Sequence, residues 1–240
     1  MKFLLDEKSL LLSSLLLGFL FLAFRFLIYF NLPNIEPQQL NAGISSPLLN
    51  LELAESPQQI YTILGGPEEE GHYQKITSFR TSLSFSNYYI CIYFLYFCGL
   101  FELTFRKSQL QIIWKFLFYL TLSATTLCHF AGNYKLDQIL QSKSILSMQE
   151  SFSFLKELSL CKHLLFFFIS GVVGMFFWLV EKGYTIKVAG IFLFTSFTLA
   201  LVGLYKFYLL ELAFYFLYLG VACIVIYTTI RFYSNFRKYM

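Results

Sequence analysis

The chain has 240 residues, 57% hydrophobic and 20% aromatic, and only 13% carry a charge, where an average soluble domain carries about 25%. The net charge is +4. So few charges cannot cover a soluble core of this size, and +4 without basic clusters does not suit nucleic acid, so lipid is the expected solvent.

A membrane helix needs about 20 mostly apolar residues, and six stretches qualify, at about 9–30, 85–105, 111–132, 163–180, 186–205 and 207–230. The first has a short charged leader, Lys2 to Lys8, but its apolar run is too long for a signal peptide and no Ala-x-Ala site follows, so it reads as a retained anchor. Barrel strands alternate apolar and polar residues. Runs such as Leu15–Leu17 and Phe166–Phe168 are apolar on every side. A helix satisfies its own backbone in lipid. The expected fold is therefore all-α: a single integral membrane domain over 1–240, a polytopic bundle of six transmembrane helices.

With the N-terminus inside, nine Lys and Arg fall on short inner segments and seven on outer segments, most of these on the two long loops 31–84 and 133–162. Charge density then favours both termini on the cytoplasmic side of an inner or plasma membrane. Trp114 and Trp178 would anchor the inner interface.

The first outer loop begins with turn residues Pro33 and Pro37. Leu48, Leu49, Leu51 and Leu53 suggest a short helix, and Ser56-Pro57-Gln58-Gln59 reads as the start of another, with Ser56 capping, Pro57 at the first helical position and Gln59 completing a capping box. Ile60, Ile63 and Leu64 give it an apolar face, and Gly65-Gly66-Pro67 ends it. The six Glu of this loop read as a solvated face. In the second loop Ile145, Met148, Phe152 and Leu155 share one helical face, flanked by Lys143 and Lys156, as in an interfacial helix.

Ionisable groups in lipid are candidates for function. Depth assigns most of these to structure: Arg25 and Lys115 can snorkel to headgroups, Glu102 can pair with Arg106 four residues on, Glu181 and Lys182 close a span, and Lys206 and Glu211 flank a tight hairpin. The outer ends of three spans gather Cys128, His129, Cys161 and His163, a candidate set for haem iron or copper. Tyr89, Tyr93 and Tyr96 share one helix face, and Glu211, Tyr215 and Tyr218 another, as candidate walls of a ligand pocket. Small residues four apart, Ser170 with Gly174 and Ser196 with Ala200, would let two helices approach closely. The five cysteines show no Cys-x-x-Cys spacing, and no phosphate loop, zinc-protease or serine-hydrolase motif occurs.

The run Pro47 to Leu64, with Leu51-Glu52-Leu53-Ala54 followed by Ser56-Pro57, resembles the outer loop of a group of uncharacterised bacterial multi-pass membrane proteins. In that group an aromatic-rich span opening and a later Asp-x-x-Glu-Asn close follow. Tyr89, Tyr93 and Asn133 fit, whereas Ser86, His129 and Gly132 stand at the acidic positions. The resemblance reaches from Ser9 to Leu140 at most and implies no activity.

The sequence supports a non-catalytic binding or accessory membrane protein that requires no cofactor, with lipid and a membrane-protein partner or second copy as the expected contacts. The alternatives are a small transporter or transporter subunit, and a redox or haem protein using the outer His and Cys residues.

Overall fold

The computed structural model describes residues 7–36, 44–66, 68–108, 111–142, 144–152 and 154–237. Lys2, Pro37, Pro67, Lys143 and Lys238 lie outside these ranges. Nine helices and no strand occur among the described residues: α1 (Glu7–Phe30), α2 (Pro47–Glu52), α3 (Pro57–Leu64), α4 (His72–Phe105), α5 (Ile112–Leu140), α6 (Ile145–Phe152), α7 (Leu155–Val180), α8 (Tyr184–Gly203) and α9 (Tyr208–Arg237). Six of them, α1, α4, α5, α7, α8 and α9, are long and apolar enough to cross a membrane. The protein is an all-α multi-pass membrane protein. The end that carries the chain termini is called proximal below, and the opposite end distal.

The six spans form a closed ring. α1 packs on α4, α4 on α5, α5 on α7, α7 on α8, α8 on α9, and α9 returns to α1; α4 also reaches α7 through the middle. Aromatic rings fill that middle. Phe21, Tyr93, Tyr96, Phe97, Phe101 and Phe166 are all almost fully buried, and their rings meet edge-on or tilted, as at Phe97–Phe166 (5.9 Å, 89°) and Phe21–Tyr96 (5.6 Å, 40°). Such pairs add about 0.5–1.5 kcal/mol each beyond area burial. The outward faces are apolar as well, Trp114 and Trp178 among them, as lipid-facing surfaces require.

Four helices, α4, α5, α7 and α9, exceed their apolar stretches by seven residues or more. α4 starts at His72, although apolar composition alone marks only 85–105, and its 34 residues make a rod about 51 Å long at 1.5 Å per residue. Ile76, Phe79 and Leu83 carry its apolar face into the polar part, and Ser82 Oγ donates to the Ile28 carbonyl of α1 at 3.2 Å. α5 likewise runs on to Leu140, and α7 begins at Leu155. Hydropathy finds the part of a helix that meets hydrocarbon, whereas the helix ends where its own packing and hydrogen bonding end.

Local signals in the first loop hold. Ser56 caps α3 by accepting from Gln59 N at 3.2 Å, with Pro57 at the first position. Gln59 Oε1 accepts from Glu55 N at 2.7 Å, one residue before the cap, a shifted capping box. Gly65 closes α3 at φ +82°, a left-handed conformation that favours glycine. In the second loop Met148 is buried and α6 packs on α3, α5 and α7, while Ile145 and Leu146 stay exposed.

At the proximal end, ion pairs join segments distant in sequence. Lys107 Nζ bonds Glu181 Oε1 at 2.5 Å, Arg231 pairs with Glu7, and Tyr227 OH donates to Glu181 Oε2 at 3.2 Å. Glu102 pairs with Lys115, which therefore does not snorkel alone, accepts from Tyr119 OH at 2.7 Å, and lies 3.7 Å from Arg106.

α7 and α8 approach through small residues. Ser170 Oγ and Ser196 Oγ lie 3.2 Å apart, and a Cβ on Gly174 would fall 2.7 Å from the Gly190 carbonyl oxygen. Backbone atoms cannot give way as a flexible side chain can. Gly174→Val is expected to destabilise the bundle by about 3 kcal/mol, the upper end of ordinary overpacking, read as a lower thermal midpoint in detergent; an unchanged midpoint would contradict the close approach.

Candidate functional site

The distal end of the ring holds a cavity of about 470 Å³. α1 supplies Leu22, Arg25, Phe26, Ile28 and Tyr29; the α2 segment supplies Ser46, Leu48, Leu49 and Glu52; α4 gives Ser86 and Tyr89, α5 His129, and α7 Lys162, His163 and Phe166; α9 gives Glu211, Phe214, Tyr215 and Tyr218. Phe26, Tyr29 and Tyr215, at 60%, 64% and 58% exposure, are the exposed members of this lining. All three lie on α1 or α9, so the cavity opens sideways between those helices, onto a lipid-facing surface.

α2 forms the roof. Ser46 caps it by accepting from Leu49 N at 3.4 Å, and the buried Asn50 side chain donates to the carbonyls of Ile44 (3.1 Å) and Ser46 (3.0 Å), folding the entering chain onto the helix. Leu48, Leu49, Leu51, Leu53 and Ala54 are buried. This packing carries Glu52 to a position only 5% exposed, whereas Glu36, Glu55, Glu68, Glu69 and Glu70 are exposed. The solvated-face expectation therefore holds for five glutamates and fails for Glu52. Between Leu51 and Leu53, this carboxylate goes inward with its neighbours because it finds cations there.

Those cations come from α7. Lys162 Nζ donates to Glu52 Oε1 at 2.6 Å, and His163 Nε2 meets Glu52 Oε2 at 2.9 Å. Lys162 is 1% exposed and His163 5%. A Cβ on Gly132 would lie 3.5 Å from Lys162 Nζ, at ordinary contact distance, so the ammonium packs directly over this position of α5. Burial by itself would raise the Glu52 carboxyl, but the Lys162 ammonium and the bonded His163 outweigh it and hold the group well below the usual carboxylate range. A second tie fixes the same segment to α9: Glu211 accepts from Ser45 N at 2.9 Å and from Ser45 Oγ at 2.5 Å.

The tyrosine stripes separate by depth. Tyr89 and Tyr218 line the cavity. Tyr93 lies beneath it, its OH 2.8 Å from His129 Nδ1 and its ring 5.0 Å from Phe166. Tyr96 is deeper still and buried against Phe21 and Phe97. Tyr215 stands at the lateral opening with Glu211 above it.

The proposed metal or haem ligands do not gather into one donor set. His129 and His163 are buried, with ring centroids 6.2 Å apart at 84°, but Cys161 is exposed and Cys128 half-buried. Neighbouring positions on a helix point about 100° apart, so the thiols sit on the outer face and the imidazoles face inward. His129 Nδ1 is engaged by Tyr93 and His163 Nε2 by Glu52, and an edge-to-face pair at this distance leaves no gap for a macrocycle. Among the described residues no three His, Cys, Asp or Glu side chains are placed to hold a metal ion.

Arg25 also departs from expectation. It turns inward, with its guanidinium carbon 5.4 Å from the Phe214 centroid and 5.3 Å from that of Tyr218. Depth alone suggested snorkelling, but two aromatic faces on α9 give the cation a nearer partner. Set against the sequence profiles of known protein families, curated proteins and solved structures, the chain matches none.

Two outcomes test the buried cluster. Glu52→Gln is expected to cost about 3–5 kcal/mol, because Lys162 is left buried without its counter-charge, and the pair Glu52→Leu with Lys162→Met should cost less than Glu52→Gln alone; a thermal-unfolding double-mutant cycle reads both. The depressed carboxyl also sets a sign for pH. Its contribution is complete above the unfolded value of about 4.3 and is lost as pH falls below it toward the folded value, so the Glu52→Gln penalty should shrink in acid and stay constant from pH 6 to pH 8.

Proposed function

We propose that this protein is a non-catalytic binding protein of the bilayer, which takes an amphipathic molecule from the surrounding lipid into its distal cavity. The observation that carries the reading is the shape of that cavity: mostly aromatic and aliphatic walls, charged groups under a roof helix, and a mouth between α1 and α9 where Phe26, Tyr29 and Tyr215 are exposed. Apolar walls with a few convergent polar groups are the usual make-up of a ligand site, and a mouth facing lipid suits a molecule that already resides there. A transport role would need a path onward. Below the cavity Tyr93, Phe97 and Phe166 are 0–1% exposed and closely packed, which favours binding over passage.

The lysine and arginine distribution supports a cytoplasmic-type membrane with both termini inside and the distal cavity at the outer leaflet. On that reading the resemblance of 47–64 to the outer loops of a group of bacterial membrane proteins gains a physical sense: its Leu-Glu-Leu-Ala segment is the roof, with Glu52 as the tether. The positions that depart from that group's pattern adjoin the same place, since Ser86 and His129 line the cavity and Gly132 lies against Lys162.

Native mass spectrometry from mild detergent is expected to find an amphiphile retained on the chain. Leu22→Trp, which fills the cavity from α1, should remove it while leaving the thermal midpoint within a few degrees; a chain that carries no amphiphile under any mild extraction would refute the reading. Reporters fused after Glu70 and after Met240 should report outside and inside respectively.

A further inference from the structure

The polar groups of the cavity divide into those with partners and those without. Glu52, Lys162 and His163 Nε2 satisfy one another, and Glu211 is occupied by Ser45. Arg25 is different. Among the described residues it makes no ion pair and no hydrogen bond, only ring contacts with Phe214 and Tyr218. A ring face attracts the charge of a guanidinium but leaves its five in-plane N–H donors unused. The side chain starts five residues from the end of its helix, about 7.5 Å in by the helical rise, where an uncompensated cation is costly.

Two more donors stand beside it. The hydroxyls of Tyr89 and Tyr218 are buried and complete no hydrogen bond. Even if the pair closed on each other, one O–H would still lack an acceptor. Burying such a donor unpaired costs about 1–3 kcal/mol. A positive fork and at least one free hydroxyl therefore meet in one cavity, and both carboxylates of its lining are already engaged.

We propose that this cavity is an oxyanion site for a lipid phosphate, with Arg25 as counter-ion, Tyr89 and Tyr218 as hydroxyl donors, and the acyl chains leaving between α1 and α9. The assignment rests on the binding role proposed above and names the headgroup that role leaves open. A guanidinium fork suits phosphate oxygens in two-point contact, and phosphate is the anion that membranes carry at their headgroups. Glu211 does not oppose it: its carboxylate is turned to Ser45 at the rim, whereas Arg25 reaches Tyr218, seven residues and about 10 Å further along α9.

The test titrates the purified full-length protein with dioleoyl phosphatidylglycerol, with dioleoylglycerol, which has the same acyl chains and no phosphate, and with inorganic phosphate, each read by native mass spectrometry. The anionic lipid should bind about tenfold or more tighter than the phosphate-free one, as expected for a charge-assisted hydrogen-bond set. Arg25→Gln should abolish that preference and leave dioleoylglycerol binding in place, and Arg25→Lys should keep part of it. Tyr89→Phe and Tyr218→Phe keep the rings, hence the packing, and should weaken the anionic lipid several-fold without changing the thermal midpoint. Equal binding of both lipids by the unaltered protein, or an unchanged preference in Arg25→Gln, would overturn the oxyanion assignment and leave the binding role standing. No lipid binding at all would overturn both. Inorganic phosphate binding as tightly as phosphatidylglycerol, and lost in Arg25→Gln, would uphold the oxyanion site and make its source soluble.

Discussion

The distal half of this molecule depends on one carboxylate taken out of water. Glu52 sits on a six-residue helix, too short to be stable alone. Buried leucines pull that helix onto the bundle, and its glutamate must then meet positive charge or bear a large desolvation cost. Lys162 and His163, adjacent on α7, supply it through both carboxylate oxygens at once. That contact sets the register of the roof over the ring. On the way to its partner the lysine packs over Gly132 of α5. The cavity is the space left beneath a helix pinned at this point and at Ser45.

The two ends of the ring hold their buried carboxylates differently. At the proximal end Glu181, itself buried, is shared among Lys107, Tyr227 and Arg231, which are partly exposed. Around the distal cavity Glu52 and Lys162 are both buried and committed to each other, whereas Arg25 faces open space. Rigidity and an unfilled interaction therefore coincide in the same place, which is the arrangement expected of a preorganised binding site.

Sequence patterns reveal local structure here and hide what is distant. The six spans follow from composition, because a helix in hydrocarbon has to be apolar along its length. The Ser56-Pro57 cap and the Gly65 stop were legible because each works within four residues. The extra turns at 72–84 were not, since polar residues continue that helix outside the apolar stretch. Glu52 and Lys162 are 110 positions apart, and nothing local links them, so the carboxylate reads with its five neighbours as part of a solvated face. Arg25 was read by depth, which measures distance to the headgroups and takes no account of Phe214 and Tyr218 on another helix. The tyrosine stripes pointed to the right helices, but only packing could show that Tyr89 and Tyr218 face the cavity while Tyr93 and Tyr96 lie below it.

The ring is sealed where α1 meets α9, and this has a consequence in time as well as in space. Chains fold largely from the N-terminus as they are made, so α1 enters the membrane early and waits with one flank open while five further spans are synthesised. Arg25 spends that interval without the two aromatic faces that later hold it, and the mouth of the cavity does not yet exist. The site is therefore completed by the last helix to arrive. A nascent or shortened chain lacking α9 would keep the Glu52–Lys162 pair but lose the Ser45–Glu211 tie of the roof and the wall that holds a guest, which makes occupancy a mark of finished assembly.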